Sequence, residues 1–502
     1  MASCVASDVA ALRKTFNSEK TRPLVVRKEI IKQLRRLIVE NEQELCQALQ
    51  QDLHKHPAET YAFEMTTVLK EIQEHLDYLD DWAAPHSVAT SIVCLPGMSS
   101  IVAEPLGVVL LFGTWNYPIY LSLLPLVGAL SAGNCALVRF AADGSVDATN
   151  ALLASLFDKY LDRDIVRYAI GGLDVSKEVL AQRYDLIFCT GSERIGKIVA
   201  RAAAENLTPV VLELGGKSPT IIDDTADLTV TARRVAWGAF ANAGQTCVRP
   251  DHVFVSEMIG DAFVQQLKHE TERLFSADPV AVDHYGRIAN DAHFDKLHLI
   301  LKQDAKYIVH GGDVDRATRF IAPTILNFKS DRGAFDRSAA MADEIFGPII
   351  PVVYSSDLSS ILAAILSRPK PLGLYVFSRN QKTIDRILSR TSSGAACVND
   401  TMMQMSNHNL PFGGVGSSGM GRYHGKFSFD TFSHAKAILR KPFWLDLPQR
   451  YMPYTPLNVK IVRLLLSPIP RAAVRGVLGT VILVAVVLLS VYLSKPRGVK
   501  HH

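Results

Sequence analysis

Three side chains of the sequence combine a reactive chemical type with a setting that favours chemistry. Cys247 follows the glycine-containing loop NAGQT, where a thiol can be exposed and nucleophilic. Glu213 stands between two leucines in an apolar stretch, and burial there would raise the pKa of the carboxyl group towards that of a general base. Asn116 lies in the segment TWNYP just after another apolar run, and its amide can donate a hydrogen bond to an oxyanion. Each residue alone has a commoner role: an inert thiol, a structural ion pair or a turn.

A fourth feature is a candidate phosphate-binding turn. The residues from Cys189 to Ser192 close an apolar stretch, and Gly196 lies just inside the helical stretch that follows. Backbone N–H groups at the start of a helix can bind a pyrophosphate. The spacing of Gly191 and Gly196 differs from the standard dinucleotide fingerprint, so a tight turn that needs two glycines explains the pattern about as well.

The elements that must position these residues alternate between strands and helices from Glu104 onward. Helical stretches separate several apolar runs, which predicts right-handed crossovers and a parallel sheet buried on both faces. A second α/β pattern follows, from about Ser218 to Val415. The predicted strands are residues 106–112, 134–140, 165–170, 186–189 and 210–214 in the first pattern, and 348–354 and 373–377 in the second.

Length and composition limit the classes of protein to consider. The chain has 502 residues, which predicts two or three domains. Its net charge is only +4, from 54 basic and 50 acidic residues, so nucleic acid is not expected as a partner. The seven cysteines are far apart and form no C-x-x-C motif, so we expect neither a disulfide framework nor a metal site.

Residues 476–494 carry no charged side chain and have basic residues on both sides. As a helix they would span about 28 Å, close to the bilayer core of about 30 Å. A buried helix of the globular core is the alternative, but a soluble terminal helix normally keeps a polar face. We therefore expect a tail-anchored protein, inserted into a membrane after translation, with its catalytic part in the cytosol.

Several segments together resemble the aldehyde dehydrogenase superfamily in their order and spacing: TWNYP, FCTGS, LELGGKSP, NAGQTC, EIFGP and LPFGGVGSSGMG. The resemblance covers roughly residues 8–447. The segments PLGLYVFS and CVND, together with the apolar tail, are most similar to the class 3 branch, which includes membrane-anchored members acting on fatty aldehydes.

The resemblance implies an α/β architecture with a doubly wound, Rossmann-like cofactor domain and an α/β catalytic domain. It also implies a small bridging β segment, and a C-terminal transmembrane helix completes the expected organisation. The expected boundaries are 1–85 and 105–214 for the cofactor domain, 215–415 for the catalytic domain, 86–104 and 416–447 for the bridging and oligomerisation segments, 448–475 for a membrane-proximal segment and 476–494 for the transmembrane helix.

By this resemblance, Cys247 attacks the aldehyde, Glu213 activates water, and the Asn116 amide and the Cys247 backbone N–H hold the oxyanion. The implied reaction is oxidation of aldehydes, expected to be medium- to long-chain fatty aldehydes, to carboxylic acids with NAD or NADP. The residues implied in cofactor binding are Arg139, Gly191, Ser192, Gly196, Leu214, Gly215, Glu344 and Phe346, the last two at the nicotinamide ribose and ring.

Two positions depart from the family pattern. Residues 139–142 read Arg-Phe-Ala-Ala where the family usually has Lys-Pro-Ser-Glu. The glutamate that repels a 2′-phosphate is therefore missing, and Arg139 can bind a phosphate, so NADP is expected beside NAD. Glu193 stands where the family often has threonine, and its carboxylate would weaken pyrophosphate binding unless it points away.

Other functions fit parts of the sequence. An acylating dehydrogenase that uses coenzyme A would share the fold but would not need Glu213 as a hydrolytic base. A membrane-bound thiol protease would pair Cys247 with a histidine such as His408, without support from the surrounding motifs. A catalytically inactive, membrane-tethered scaffold would not need Cys247, Glu213 and Asn116 together.

The resemblance alone implies a homodimer. The endoplasmic reticulum is the expected membrane, and peroxisomal and outer mitochondrial membranes also accept tails of this kind.

Overall fold

The computed structural model describes residues 5–280, 282–446 and 450–467. The chain divides into two compact units, of which the first contains the residues up to 84 and residues 102–436. The second contains residues 85–101 and the residues from 437 onward. Within the described residues, no helix is both long and apolar enough to cross a membrane. The predicted transmembrane segment, 476–494, lies outside the described residues.

The described residues form the following regular elements. The α-helices are α1 (Val5–Asn17), α2 (Leu24–Val39), α3 (Glu42–Leu53), α4 (Pro57–Thr60), α5 (Thr66–Ala83), α6 (Pro118–Ala132), α7 (Asp147–Tyr160), α8 (Leu173–Leu180), α9 (Glu193–Ala204), α10 (Leu228–Phe240), α11 (Gly260–Phe275), α12 (Asp291–Gln303), α13 (Arg332–Arg337), α14 (Ala339–Ala342), α15 (Leu358–Leu366), α16 (Gln381–Arg390), α17 (Lys426–Thr431) and α18 (Pro456–Leu466). The strands are β1 (His86–Val88), β2 (Met98–Pro105), β3 (Val108–Phe112), β4 (Cys135–Phe140), β5 (Val166–Ile170), β6 (Leu186–Thr190), β7 (Val210–Glu213), β8 (Pro219–Ile222), β9 (His252–Ser256), β10 (Ile308–His310), β11 (Val314–Asp315), β12 (Phe320–Ile321), β13 (Thr324–Asn327), β14 (Ile349–Ser355), β15 (Gly373–Phe377), β16 (Ala395–Val398), β17 (Gly419–Met420) and β18 (Ser433–Arg440).

The first unit contains a six-stranded sheet with the order β17-β7-β6-β3-β4-β5. Its strands are parallel except β17, which pairs antiparallel with β7. The chain starts at the central β3, moves outward to β5, and returns to the other side of β3 through β6. The carboxyl end of β3 is therefore the point where the strand order reverses, and doubly wound sheets bind their ligands there. The strands predicted from the sequence agree with the observed ones within two residues at each end.

The sequence explains why β3 occupies the centre of this sheet. All five of its residues, VVLLF, are buried, as expected when helices cover both faces of a parallel strand. Helix α6, which follows, is buried along its whole length and ends at Gly133 with φ +93°. Glycine adopts this left-handed conformation without strain, so the chain can turn into β4.

A second sheet of the first unit has the order β10-β13-β14-β9-β8-β15-β16. It is parallel from β13 to β16, while β10 is antiparallel at one edge. Each of the two sheets has its own hydrophobic core. Strands β1, β2 and β18 form a separate three-stranded sheet. The Rossmann-like and catalytic α/β architecture predicted from the sequence is thus confirmed.

Candidate active site

Cys247 follows a turn in an uncommon backbone conformation. After α10, the residues Asn242, Ala243 and Gly244 have φ values of 53°, 50° and 70°, all in the left-handed region. Two of them are not glycine, so the turn costs conformational free energy that neighbouring contacts must offset. The backbone N–H of Asn242 donates to Glu59 Oε1 at 2.6 Å.

The side chain of Gln245 fixes the loop from within. Its Oε1 accepts from the Ala289 backbone N–H at 2.9 Å, and its Nε2 donates to the carbonyls of Arg287 at 3.0 Å and Asn242 at 3.1 Å. All hydrogen-bonding atoms of this buried amide are thus engaged. The loop holds Cys247, which is partly exposed, in a defined position.

Asn116 belongs to the loop after β3 and lies against the cysteine loop. Its Nδ2 donates to the Gln245 carbonyl at 3.0 Å, and its Oδ1 accepts from Thr114 Oγ1 at 2.8 Å. Its own carbonyl accepts from Lys55 Nζ and from Asn242 Nδ2, both at 3.0 Å. An amide nitrogen carries two protons. The Asn116 side chain is therefore oriented by two hydrogen bonds, its backbone is fixed by two more, and its Nδ2 keeps a second N–H to donate.

Glu213 ends β7 and is 3% exposed. Among the described residues, neither carboxylate oxygen has a hydrogen-bond partner. Burial raises the pKa of Glu213 well above the ordinary 4.5, because the charged form loses its hydration. The structural ion pair that the sequence left open is not formed with any described residue. Such a carboxyl group can exchange a proton near neutral pH.

Cys247 and Glu213 line the same pocket, whose wall is otherwise mainly apolar and aromatic. Burial raises the pKa of the Cys247 thiol to about 12, and the charges of Glu344 and Glu213 add to the increase. The thiol is therefore neutral until a base removes its proton. The other lining residues are Phe63, Tyr117, Tyr120, Leu121, Thr190, Thr246, Met405, Phe412 and Tyr423.

Glu344 and Phe346 stand in a loop that meets the cysteine loop. The Glu344 carboxylate packs on Gly215, where a Cβ atom would lie only 2.2 Å from Oε2. Burial, followed by the charge of Asp251, raises the pKa of Glu344 to about 8, and within the described chain its Oε1 has no hydrogen-bond partner. Phe346 has φ +54°, and its ring contacts Trp115 edge-on with centroids 5.4 Å apart.

The turn after β6 leads into α9, and hydrogen bonds within the protein fix it. Ser192 caps α9 by accepting from the Ile195 N–H, and the Gly191 N–H donates to the Glu213 carbonyl at 3.0 Å. Gly196 lets the helix approach the sheet, since a Cβ there would lie 2.9 Å from the side chain of Leu214. Glu193 pairs with Lys197 at 2.6 Å on the exposed side of the helix.

Arg139 is the second-to-last residue of β4, which is separated from β6 by the central strand β3. Its Nη2 donates to the Gly171 carbonyl at 3.0 Å, whereas its Nε is buried without a partner in the part of the chain that is described. Burial lowers the pKa of Arg139, and Asp143 opposes that effect.

Arg139, Gly191 and Gly215 lie at or just after the carboxyl ends of β4, β6 and β7, three strands of one sheet. Glu344 and Phe346 lie in the loop before β14 of the second sheet. A nucleotide offers partners for Arg139 Nε and Glu344 Oε1, which have none among the described residues.

Sequence reasoning missed several residues that shape the site. Lys217 hydrogen-bonds Asp251 and the carbonyls of Ala340 (2.8 Å) and Asp343 (2.9 Å), and so ties β7 and the Glu344 loop together.

Tyr120 and Tyr423 line the pocket, although they are 303 positions apart. Tyr120 follows the TWNYP motif by two residues, and this proximity was the available signal. His408 lies 3.0 Å from Glu71 and is not part of the pocket lining.

Comparison with known proteins agrees with this geometry. A sequence model described as "Aldehyde dehydrogenase family" matches residues 2–438. The chain is 43% identical over 433 residues to "Aldehyde dehydrogenase family 3 member A2" of Mus musculus, covering 86% of this chain and 88% of the relative. It is 42% identical over 447 residues to "Aldehyde dehydrogenase, dimeric NADP-preferring" of Canis lupus familiaris, covering 89% and 97%.

A solved structure, the substrate-bound AldH of Staphylococcus aureus, is also similar. It superposes with a TM-score of 0.88 at 37% identity, covering 91% of this chain and 98% of that chain. The predicted family resemblance is confirmed, and with it the type of enzyme and the use of NAD or NADP that belongs to the family. The chain belongs to the aldehyde dehydrogenase family.

Proposed function

We propose that this chain oxidises medium- to long-chain fatty aldehydes to carboxylic acids, with Cys247 as nucleophile and Glu213 as base. One observation carries the proposal: the thiol and an unpaired, buried carboxyl group line one apolar pocket. The Asn116 amide lies against the loop that bears the thiol. An apolar wall suits an alkyl chain, whose burial contributes about 0.8 kcal/mol per methylene group.

The first step moves a proton and forms a bond. The ionised Glu213 carboxylate takes the proton of the Cys247 thiol, directly or through one water, and the sulfur attacks the carbonyl carbon of the aldehyde. The carbonyl oxygen becomes an oxyanion that accepts from the free N–H of Asn116 and from the Cys247 backbone N–H. Oriented donors of this kind contribute about 10²–10³ to kcat.

When bound, a nicotinamide cofactor would supply the hydride acceptor that converts the former aldehyde carbon into a thioester on Cys247. Arg139, the turn from Gly191 to Ser192, Glu344 and Phe346 would hold this cofactor. After Glu213 has lost its proton to solvent, it takes one from a water, whose oxygen attacks the thioester. The Cys247 sulfur then leaves as a thiolate and the acid is released.

The proposed cofactor includes NADP as well as NAD. The sequence lacks the acidic residue that repels a 2′-phosphate, and Arg139 keeps an unpaired Nε near the end of β4. A relative at 42% identity is named NADP-preferring. The same name includes "dimeric", and it supports a homodimer as part of the proposal.

Membrane attachment is a further part of the proposal. Residues 476–494 are uncharged, and the described part of the second unit exposes large apolar side chains at Phe443, Trp444 and Tyr454. From 441 to 467 the sequence has four basic residues and one acidic residue. Aromatic and basic side chains favour the surface of an anionic bilayer. The proposed membrane is that of the endoplasmic reticulum, with peroxisomal and outer mitochondrial membranes as alternatives.

The decisive test measures NAD(P)H formation by the purified full-length enzyme with hexadecanal, with NAD and with NADP in parallel. Cys247→Ala should abolish turnover, while the matched control Cys46→Ala, in α3, should retain it. Palmitic acid rather than a coenzyme A ester should accumulate. Folded wild-type protein without turnover on either cofactor would contradict the proposal.

Recovery of the full chain, but not of a chain ended after residue 470, in carbonate-washed membranes tests the anchor.

A further inference from the structure

Among the hydroxyl groups of the pocket wall, that of Tyr120 has no role in the proposed chemistry. Tyr120 lies in the first turn of α6 and is 4% exposed, with its side chain in the pocket that also contains Cys247. The neighbouring Tyr117 is already engaged, since its hydroxyl lies 2.7 Å from Thr246 Oγ1. Thr246 therefore engages the hydroxyl of Tyr117 but not that of Tyr120.

The hydroxyl of Tyr120 is held by a buried imidazole. His424 Nε2 lies 2.8 Å from the Tyr120 oxygen, and the His424 ring stacks on Phe412 at 5.1 Å and meets Tyr423 edge-on at 4.6 Å. Burial lowers the pKa of His424 to about 3, so the ring is neutral and carries a single N–H.

The backbone of His424 is fixed as firmly as its ring. Its N–H donates to Ser428 Oγ at 2.9 Å, and that hydroxyl donates to Glu71 Oε1 at 2.6 Å. The Gly425 N–H also donates to Glu71, at 2.8 Å to Oε2. Glu71 is fully buried in α5, so a carboxylate of the core anchors the turn that presents the imidazole.

The position of the ring proton decides what Tyr120 can do. Nδ1 of His424 is buried and meets no hydrogen-bonding group among the described residues. A buried N–H without an acceptor is rarer than an acceptor without a donor, so the proton belongs on Nε2, where it points at Tyr120. The Tyr120 oxygen then accepts, and its own proton must point elsewhere. Tyr423 Oη, at 3.5 Å, is too far for a normal O–H···O bond.

We propose that Tyr120, oriented by His424, is a specificity residue that donates a hydrogen bond to an oxygen atom on the chain of the aldehyde, beyond the reacting carbonyl. The substrate class is an aliphatic aldehyde with a hydroxyl or keto group on its chain. This inference rests on the proposed function, because it assigns the aldehyde to the same pocket. A plain alkyl chain would leave the proton of the Tyr120 hydroxyl, whose oxygen accepts from His424, with only the long contact to Tyr423.

The test compares octanal with 2-, 3- and 8-hydroxyoctanal on the purified full-length enzyme and on Tyr120→Phe. For each hydroxyoctanal, kcat/KM is divided by that of octanal, and this ratio is compared between the two proteins. In at least one of the three substrates, the ratio should fall about tenfold in the variant, as expected when a neutral hydrogen bond to the substrate is lost. Ratios that agree within twofold for all three substrates would overturn the inference.

The role of His424 has its own readout. His424→Leu removes the donor to Tyr120, whereas His424→Gln keeps a nearby N–H. The hydroxyoctanal-to-octanal ratio should fall in the leucine variant and recover at least in part in the glutamine variant. Equal ratios in both variants and the wild type would remove His424 from the proposal. Lack of octanal turnover by wild-type enzyme would instead refute the proposed function, so the two failures are distinguishable.

Discussion

The carboxylate of Glu213 and the thiol of Cys247 share one pocket, and the negative charge of Glu213 contributes to the raised pKa of that thiol. Burial raises the pKa of both groups, so two simultaneous negative charges are strongly disfavoured. An ionised Glu213 therefore disfavours a thiolate at Cys247, and a proton that leaves the sulfur is best accepted by the carboxylate. This pairing explains how a thiol with a pKa of about 12 can be activated.

Glu213→Gln is expected to lower steady-state kcat by about 10²–10⁴-fold, the usual contribution of a general base. Glutamine preserves the size of the side chain but cannot accept the proton of Cys247 or of water. Steady-state NAD(P)H formation measures the effect. Glu205→Gln, at the exposed end of α9, is the matched control and should keep wild-type turnover.

The same carboxyl group predicts a pH dependence. The base works only when ionised, so kcat/KM should fall as the pH is lowered through the raised pKa of Glu213, well above the ordinary 4.5. Full pH profiles of the wild type and Glu213→Gln would show whether this limb disappears with the carboxylate. If Glu213→Gln showed the same fall of kcat/KM at low pH as the wild type, that fall would belong to another ionisable group.

Glu344 predicts a pH-dependent change in stability. Folding raises the pKa of Glu344 from 4.5 to about 8, so its favourable contribution is complete below pH 4.5 and is lost as the pH rises through 8. Glutamine resembles the protonated acid. Glu344→Gln should therefore raise the thermal unfolding midpoint of the cofactor-free protein at pH 9, by about 2–5 °C, and change it little at pH 4.5. An equal change at both pH values would contradict the assigned cause.

Strands β3 to β7 of the first sheet, and β14 and β15 of the second, could be predicted because their residues are apolar in runs of fitting length. The other five strands of the second sheet were not predicted. The run LGVVLLF became β3 with a difference of two residues at its start, and GLYVF became β15 without any difference. The motifs also predicted which loops bear the reactive side chains. In these cases a local pattern of a few residues carries the information.

What could not be predicted depends on contacts between distant parts of the chain. The left-handed φ values of Asn242 and Ala243 result from the hydrogen bond to Glu59 and the anchoring of Gln245 at residues 287–289, and no local preference specifies them. The His424 contact with Tyr120 joins positions 304 residues apart. A single sequence contains no pairing information of this kind, so the polar groups of the pocket wall appeared only in three dimensions.

Arg139 predicts the cofactor preference. Arg139→Ala should raise KM for NADP by about 10–100-fold relative to KM for NAD, because a charge-assisted hydrogen bond to a 2′-phosphate contributes about 1.5–3 kcal/mol. Initial rates at varied cofactor concentration give both values. Arg163→Ala, an exposed arginine before β5, is the control for a change in net charge alone. An equal change of KM for NAD and NADP would show that Arg139 does not bind the 2′-phosphate.

Gly244→Ala should destabilise the fold and inactivate the enzyme together. Gly244 has φ +70°, and a Cβ atom there would lie 2.3 Å from the Gly347 carbonyl oxygen, which belongs to the loop of Glu344 and Phe346. Gly144→Ala is a matched control, since Gly144 has φ +81° but a Cβ would meet no atom of the described chain within 4 Å. Both variants bear the cost of a left-handed alanine, about 1–2 kcal/mol, and only Gly244→Ala also forces the cysteine loop away from the Glu344 loop.

Denaturant unfolding should therefore show a larger loss of unfolding free energy for Gly244→Ala, accompanied by loss of turnover, while Gly144→Ala stays active. Equal losses in the two variants would mean that backbone conformation alone, and not the contact with Gly347, determines the requirement for glycine before Cys247.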